Sequence, residues 1–136
     1  MIESPAVDAP LIAVVDDDDS LCRSVARFLR ASGYRCVTYG SAESFLDDEG
    51  RSLVDCLVVD VQLDGMSGTD LLQRLPSAGL RIPVVLMTAR SGGPEDGADD
   101  LGHGAVTIRK SDSGEQLLRV VRDALDPFLR DRAQLE

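Results

Sequence analysis

Five short apolar runs, separated by segments with helix or turn signals, constrain this fold more than any other feature of the sequence. Strands that are buried on both faces of a sheet read as continuous apolar runs of this kind. Alternation of such strands with helices is typical of a parallel sheet with right-handed crossovers. The sequence therefore predicts an α/β fold, an open five-stranded parallel sheet with helices on both faces. The runs are LIAVV (11–15), CVTY (36–39), CLVVDV (56–61), VVLM (84–87) and AVTI (105–108).

Helix signals occupy the segments between the first four runs. A short helix is expected from Ser41, a favourable cap, through Leu46, and another over 69–75, before Pro76. Gly33 is expected to end the first helix, because glycine is the usual residue just beyond a helix C-terminus. The apolar residues of that first helix recur at helical spacing: Leu21, Val25, Phe28 and Leu29.

The stretch SGGPEDGADDLGHG, residues 91–104, departs from the pattern of the other helical segments. It contains five glycines and four acidic residues. Each internal glycine costs a helix about 0.8 to 1 kcal/mol relative to alanine, and no apolar stripe is present to offset that cost. We expect the fourth helix to be short or irregular.

The two ends of the chain are expected to lie outside the domain. Residues 1–9 carry a proline and no periodic pattern, which predicts a flexible leader before a single domain over 10–126. A last helix is expected to begin at a capping box formed by Ser113 and Gln116. Pro127 is expected to kink or end that helix, which leaves 127–136 as a C-terminal extension.

Charge and cysteine usage exclude several classes of function. The formal net charge of −10 argues against direct binding to nucleic acid or to an anionic membrane, which depends on clustered Lys and Arg. No apolar segment is long enough to span a membrane, and the N-terminus does not resemble an export signal. Three cysteines without a CxxC pair favour free thiols in the cytoplasm. A lone histidine, His103, excludes a zinc site based on several histidines and a Ser-His-Asp triad.

Polar side chains with complementary chemistry lie at or just beyond the ends of four of the predicted strands. Asp16 and Asp17 follow the first strand, Asp60 lies in the third, Thr88 follows the fourth and Lys110 follows the fifth. The carboxyl ends of parallel strands share one edge of the sheet, where ligands of open α/β sheets bind. Clustered carboxylates favour a hard cation such as Mg²⁺. A hydroxyl and an ammonium beside it would hold a phosphoryl group, for which a carboxylate can be the nucleophile.

Each of these residues also has an ordinary structural interpretation. Acidic runs are commonly solvated loops or helix caps, Thr88 could be a turn residue, and Lys110 could be a surface charge. Asp60 is harder to explain in this way, because an unpaired carboxylate beside a core is costly. Lys110 is the only lysine among thirteen arginines, and a compact ammonium is not equivalent to the planar fork of arginine at an anion site. The combination favours a functional site.

Over residues 10–125 the sequence resembles the receiver domain of two-component response regulators. The motifs that carry the resemblance are VVDDDDS (14–20), VVDVQLDGMSG (58–68), LMTA (86–89) and IRKS (108–111). The resemblance implies a flavodoxin-like sheet with strand order 2-1-3-4-5. It implies Asp60 as the phosphoacceptor, Asp17 as a direct ligand of Mg²⁺ or Mn²⁺, and Asp16 as a ligand acting largely through water. The backbone carbonyl of Gln62 would be a further metal ligand.

The same resemblance implies roles for residues after the fourth and fifth strands. Thr88 would donate a hydrogen bond to the phosphoryl group, and Lys110 would pair with the phosphorylated carboxylate. Ala89 fits a position that takes a small residue beside the phosphoryl group. Gln62 and Arg90 stand where side chains tune the lifetime of the phosphorylated state.

Three positions depart from the usual pattern of that family. Asp64 and Ser111 stand where proline is usual, and the loss of the first proline is expected to loosen the loop after Asp60. A cis peptide costs about 2.5 to 4 kcal/mol without proline, so we expect the Lys110-Ser111 bond to be trans. Thr107 replaces the aromatic residue that usually moves with the threonine on activation.

These features lead to one preferred function and two alternatives. The preferred function is a receiver that takes a phosphoryl group from a sensor histidine kinase or a phosphotransfer protein and signals to a downstream protein or an output domain. Such a receiver is not a turnover enzyme, and a homodimer is possible. The first alternative is a pseudo-receiver that binds proteins without phosphorylation control. The second, a phosphohydrolase of the haloacid dehalogenase kind, is disfavoured by Gln62, where that family carries a second Asp.

Overall fold

The computed structural model describes residues 9–63, 65–88, 106–109 and 114–135, the side chains of 51–52 and 127–135 excepted. Strands and helices alternate along most of this part of the chain. The strands are β1 (Leu11–Val15), β2 (Arg35–Tyr39), β3 (Cys56–Asp60), β4 (Val84–Thr88) and β5 (Val106–Arg109). The helices are α1 (Asp19–Ala31), α2 (Ala42–Asp47), α3 (Gly68–Arg74) and α4 (Gly114–Leu135), with a 3₁₀ turn at Glu49–Leu53.

All five strands join one parallel sheet in the order β2-β1-β3-β4-β5. The predicted fold class and strand order are therefore confirmed. Strand order reverses at β1, so β1 and β3 are adjacent at the centre of the sheet, with Val15 opposite Val59. This switch point is where ligands bind in open α/β sheets.

Successive residues of each central strand pack on opposite faces of the sheet, which is why the strands read as unbroken apolar runs. On one face, Ile12 and Val14 pack with residues of α1 and α4. On the other, Ala13 and Val15 pack with α2 and α3, where Phe45 is fully buried. The helices cover both faces, as predicted.

The face that α1 buries differs in part from the prediction. Cys22, Ala26 and Leu29 are the buried residues of this helix, whereas Leu21 and Val25 are only partly buried. Phe28 lies at the edge of the contact, and its ring closely approaches Gly114 at the start of α4. The buried face of α1 therefore includes two small residues, Cys22 and Ala26, which allow the helix to approach the sheet.

The last helix continues past Pro127 to Leu135. Pro127 was expected to kink or end the helix, and the expectation that it ends the helix is wrong. Proline removes the hydrogen bond to the carbonyl four residues earlier, and here that carbonyl belongs to Asp123, an exposed residue. Water can therefore satisfy the carbonyl, which lowers the cost of continuing the helix.

Several expectations fall on residues outside those that the structure describes. They concern the leader up to residue 8, the glycine-rich segment 91–104, Ser113 of the capping box, and the Lys110-Ser111 peptide. Within the described ranges, no helix is both long enough and apolar enough to cross a membrane.

Candidate metal centre at the carboxyl edge of the sheet

Three carboxylates converge where β1 and β3 end. Asp16 and Asp17 follow β1, and Asp60 is the last residue of β3. One carboxylate oxygen from each of the three lies within 4.8 Å of the others. Asp16 is 1% exposed and Asp60 4%, whereas Asp17 is exposed to solvent. The structure thus brings together the three acidic residues that the sequence singled out.

The spacing of these oxygens suits a small divalent cation. Carboxylates held this close repel one another, and two of them are removed from water, where an uncompensated charge is costly. Oxygen ligands of octahedral Mg²⁺ lie about 2.1 Å from the ion, so neighbouring ligand oxygens are separated by roughly 3 to 4 Å. The donor set and its spacing therefore fit Mg²⁺, with the remaining positions open to a carbonyl and to water.

The turn after β1 is held by hydrogen bonds to Asp16. Its Oδ1 accepts from the Asp18 amide at 2.8 Å, and its own amide donates to the Tyr39 carbonyl at 3.0 Å. The Cys22 thiol donates to the Asp16 carbonyl at 3.2 Å. Burial raises the pKa of Cys22 to about 11, so the thiol stays protonated and can donate. No pattern in the sequence indicates this role of Cys22, because the thiol acts through a main-chain contact.

Tyr39 supports the same turn from the end of β2. Its hydroxyl donates to the Asp48 carboxylate, and its ring meets Phe45 edge-on, with 5.3 Å between the ring centroids. Burial, together with the hydrogen bond to Asp48, raises the pKa of Tyr39 to about 12. The neutral phenol therefore persists well above neutral pH and keeps the end of β2 attached to α2.

The loop between β3 and α3, residues 61–67, carries Gln62 next to the carboxylates. The Gln62 amide donates to Asp60 Oδ1 at 3.0 Å, which orients that carboxylate. The Val61 amide donates to the Met87 carbonyl at 2.8 Å, which ties the start of the loop to β4. Gln62 thus lies beside Asp60, where its main chain can take part in the same site.

Gly68, the first residue of α3, packs directly against the phosphoacceptor candidate. A Cβ at this position would lie 2.2 Å from the Asp60 carbonyl oxygen and 3.0 Å from the Val61 Cα. The Gly68 amide also donates to the Val61 carbonyl at 3.0 Å. Only glycine allows this approach of α3 to the end of β3.

The remaining predicted residues follow β4 and β5. Thr88 is the last residue of β4, one position beyond Met87, the partner of Asp60 in the sheet. Thr88 therefore lies at the same edge as the carboxylates. It pairs with Arg109, which immediately precedes Lys110 in sequence. Lys110 itself, with Ala89, Arg90 and Asp64, lies outside the described residues.

Thr107 carries a buried hydroxyl in β5. Its oxygen has no hydrogen-bond partner within the described part of the chain, and the residue pairs with Leu86 of β4. A buried hydroxyl without a partner keeps its desolvation cost uncompensated. We therefore expect Thr107→Val, which replaces the hydroxyl with a methyl group of similar shape, to raise the free energy of unfolding by about 1 kcal/mol.

Urea denaturation of the two proteins measures this difference. Thr38→Val, at an exposed position of β2, is the matched control and should change stability by less than about 0.5 kcal/mol. Destabilisation by Thr107→Val would contradict the prediction.

A parallel sheet of order 2-1-3-4-5 with an acidic cluster at its carboxyl edge defines a CheY-like α/β fold with a candidate cation site. Comparison with known proteins agrees. The family described as response regulator receiver domain matches residues 12–123. This chain belongs to the receiver-domain family of response regulators, which confirms the resemblance found in the sequence.

Individual relatives support the same assignment. The chain is 31% identical over 116 residues to the response regulator protein TmoT of Ectopseudomonas mendocina. The aligned region covers 85% of this chain and 52% of TmoT. A response regulator receiver protein from Burkholderia phymatum is 35% identical, with a TM-score of 0.73 over 85% of this chain and 94% of that one. The fold is shared with Vibrio cholerae chemotaxis protein CheY4, with a TM-score of 0.75 at 22% identity over 86% of this chain and 99% of CheY4. The chain spans about half the length of the curated relatives it matches.

Membership of this family places the chain in two-component signalling. Receiver domains are generally not turnover enzymes. They generally bind Mg²⁺ at an acidic cluster of the kind formed here by Asp16, Asp17 and Asp60.

Proposed function

We propose that this chain receives a phosphoryl group on Asp60 in the presence of Mg²⁺ or Mn²⁺. The single observation that supports this proposal best is the cluster of Asp16, Asp17 and Asp60 oxygens within 4.8 Å of one another at the switch point of the sheet. Asp17 is proposed as a direct ligand, Asp16 as a ligand acting largely through water, and the Gln62 carbonyl as a further ligand. Bound Mg²⁺ would offset the negative charge of the carboxylates and of the incoming phosphoryl oxygens.

The reaction proposed for Asp60 is a phosphoryl transfer to a carboxylate. An Asp60 carboxylate oxygen attacks the phosphorus of a phosphohistidine, the P–N bond breaks as the O–P bond forms, and the imidazole nitrogen takes up a proton. The Gln62 amide, which holds Asp60 Oδ1, fixes the orientation of the nucleophile. Hydrolysis of the resulting acyl phosphate restores Asp60.

Residues after β4 and β5 are proposed to hold the transferred group. The Thr88 hydroxyl would donate to a phosphoryl oxygen, and the Lys110 ammonium would pair with the phosphorylated carboxylate. Ala89 would leave space for the phosphoryl group, and Gln62 and Arg90 would tune its lifetime. The position of Thr88 at the same edge as Asp60 supports its part in this arrangement.

The partners follow from the proposed reaction. The phosphoryl donor would be a sensor histidine kinase or a phosphotransfer protein, and the signal would pass to a downstream protein or to an output domain, with a homodimer as one route. The curated relatives are about twice the length that this chain matches, which supports an output domain. The net charge of −10 disfavours direct nucleic-acid binding. Three free, buried cysteines are in keeping with a cytoplasmic location.

Incubation with acetyl phosphate and Mg²⁺, followed by intact mass measurement, tests the proposal. We expect the wild type to gain one phosphoryl group, and a chelator to suppress the gain. Asp60→Ala should gain none, because the nucleophile is missing. Asp47→Ala, at an exposed aspartate in α2, is the matched control and should react as the wild type does.

The same experiment separates the receiver from the pseudo-receiver. If the wild type binds Mg²⁺ but gains no phosphoryl group, phosphorylation control is absent and the pseudo-receiver replaces the proposal. A phosphoryl group gained by Asp60→Ala to the same extent as by the wild type would place the acceptor at another residue.

A further inference from the structure

We propose that Glu43 is a positioning residue that holds the β3–α3 loop in the shape required by the metal centre. Glu43 lies in the first turn of α2, 23 residues before its partner in the loop. The inference rests on the proposed function, because it assigns a role at the same Mg²⁺ site. Glu43 is not part of the carboxylate cluster of Asp16, Asp17 and Asp60, and its proposed action is through the main chain of the loop.

Two contacts place the Glu43 carboxylate against the loop. Glu43 Oε2 accepts a hydrogen bond from the Met66 amide at 3.0 Å. The same oxygen would lie 2.8 Å from a Cβ at residue 65, where glycine adopts a φ of +77°. Gly65 therefore provides both the left-handed backbone and the space that the carboxylate occupies.

The base of Glu43 is firmly fixed to the core. Its helix neighbours Ala42 and Phe45 are fully buried. A reciprocal capping box between Ser41 and Ser44 fixes the start of α2. The Glu43 side chain is exposed, but its backbone belongs to a helix whose buried residues pack on the core, so the side chain starts from a defined position.

The loop depends on this attachment because of how its other contacts are distributed. The Gln62 amide is bound by Asp60 at the start, and the Gly68 amide binds the Val61 carbonyl at the far end. Between these points, Leu63 is 9% exposed and packs on the core, and the Met66 side chain packs partly on the same core. The Met66 amide is held by Glu43. In sequence, Asp64 stands where the family usually has proline, whose ring would restrict the backbone. The Glu43 contact therefore limits movement of the stretch that starts at the Gln62 carbonyl.

Isothermal titration of Mg²⁺ into the intact chain tests this role. Glu43→Ala removes the acceptor of the Met66 amide, and we expect the Mg²⁺ dissociation constant to rise about tenfold, the lower end of the effect of residues that support metal ligands. Glu43→Gln retains an oxygen acceptor while it removes the charge, and should bind Mg²⁺ within about twofold of the wild type. Amide hydrogen exchange at Met66 should speed up in Glu43→Ala only.

Asp47→Ala is the matched control, because it removes an exposed carboxylate from the same helix. It should leave both Mg²⁺ affinity and Met66 exchange unchanged. Equal weakening by Glu43→Gln and Glu43→Ala would show a general charge effect, and unchanged Mg²⁺ affinity in Glu43→Ala would show no effect; either overturns the inference. Absence of Mg²⁺ binding by the wild type overturns it together with the metal part of the proposed function. Mg²⁺ binding without phosphorylation overturns the proposed phosphoacceptor alone, and the Mg²⁺ affinities of the variants still decide the role of Glu43.

Discussion

Replacing Asp60 with asparagine is expected to abolish phosphorylation by acetyl phosphate and to remove most of the stabilisation that Mg²⁺ gives to the folded chain. The amide is not a nucleophile, and it supplies one carboxylate fewer to the cluster with Asp16 and Asp17. Asparagine keeps an oxygen for the Gln62 amide, which donates to Oδ1 in the wild type. The local fold should therefore persist. The loss of phosphorylation and of the Mg²⁺ effect should then come from the missing carboxylate and not from unfolding.

Thermal unfolding with and without Mg²⁺ measures the second part of this prediction. At a Mg²⁺ concentration one hundred times the dissociation constant, a ligand that binds only the folded state stabilises it by about 2.7 kcal/mol. We expect Asp60→Asn to retain less than half of that value at the same concentration. Asp70→Asn, at an aspartate in the first turn of α3, should retain the full metal effect. Equal stabilisation of the wild type and Asp60→Asn by Mg²⁺ would remove Asp60 from the metal site.

Replacing Gly68 with alanine is expected to destabilise the fold by about 3 kcal/mol, the upper end of the usual cost of overpacking. The added Cβ would meet the Asp60 carbonyl oxygen at 2.2 Å, and main-chain atoms on both sides would have to separate. Because the displaced atoms belong to Asp60, the rate of phosphorylation should fall as well. Urea denaturation and the mass-based phosphorylation assay measure the two effects.

Gly40→Ala provides the control for Gly68→Ala. A Cβ at Gly40 would meet no atom within 4 Å, so this substitution should change stability by less than about 1 kcal/mol. In a helix, alanine is normally favoured over glycine by about 1 kcal/mol. An increase in stability in Gly68→Ala would therefore mean that α3 can move away from Asp60 at no cost.

Most of the fold could be predicted from the sequence, because each central strand is buried on both faces and leaves an unbroken apolar run. The buried face of α1 was harder to predict. Cys22 and Ala26 are small, and an apolar pattern gives them less weight than Val25 and Phe28, although small residues allow closer packing. The continuation of α4 past Pro127 could not be predicted from local propensity, because proline is disfavoured inside a helix.

The acidic part of the site was predictable for a topological reason. Asp16 and Asp60 end neighbouring strands of a parallel sheet, so their positions follow from the strand assignment alone. The contributions of Tyr39 and Glu43 were not predictable, because each depends on hydrogen bonds between elements that are separate in sequence. Contacts of this kind leave no periodic signal in the sequence.

The in-register pairing of β1 with β3 sets the spacing of the strand ends that carry the acidic residues. The carboxylates end the two central strands, whose mutual hydrogen bonds fix their separation. The main-chain positions from which Asp16 and Asp60 project are therefore set by strand pairing, while the loops orient their side chains. Thr107, Ser111 and the glycine-rich segment 91–104 all follow β4 in the chain. The spacing of the strands that carry Asp16 and Asp60 therefore does not depend on the segments that follow β4, where most departures from the usual family pattern lie.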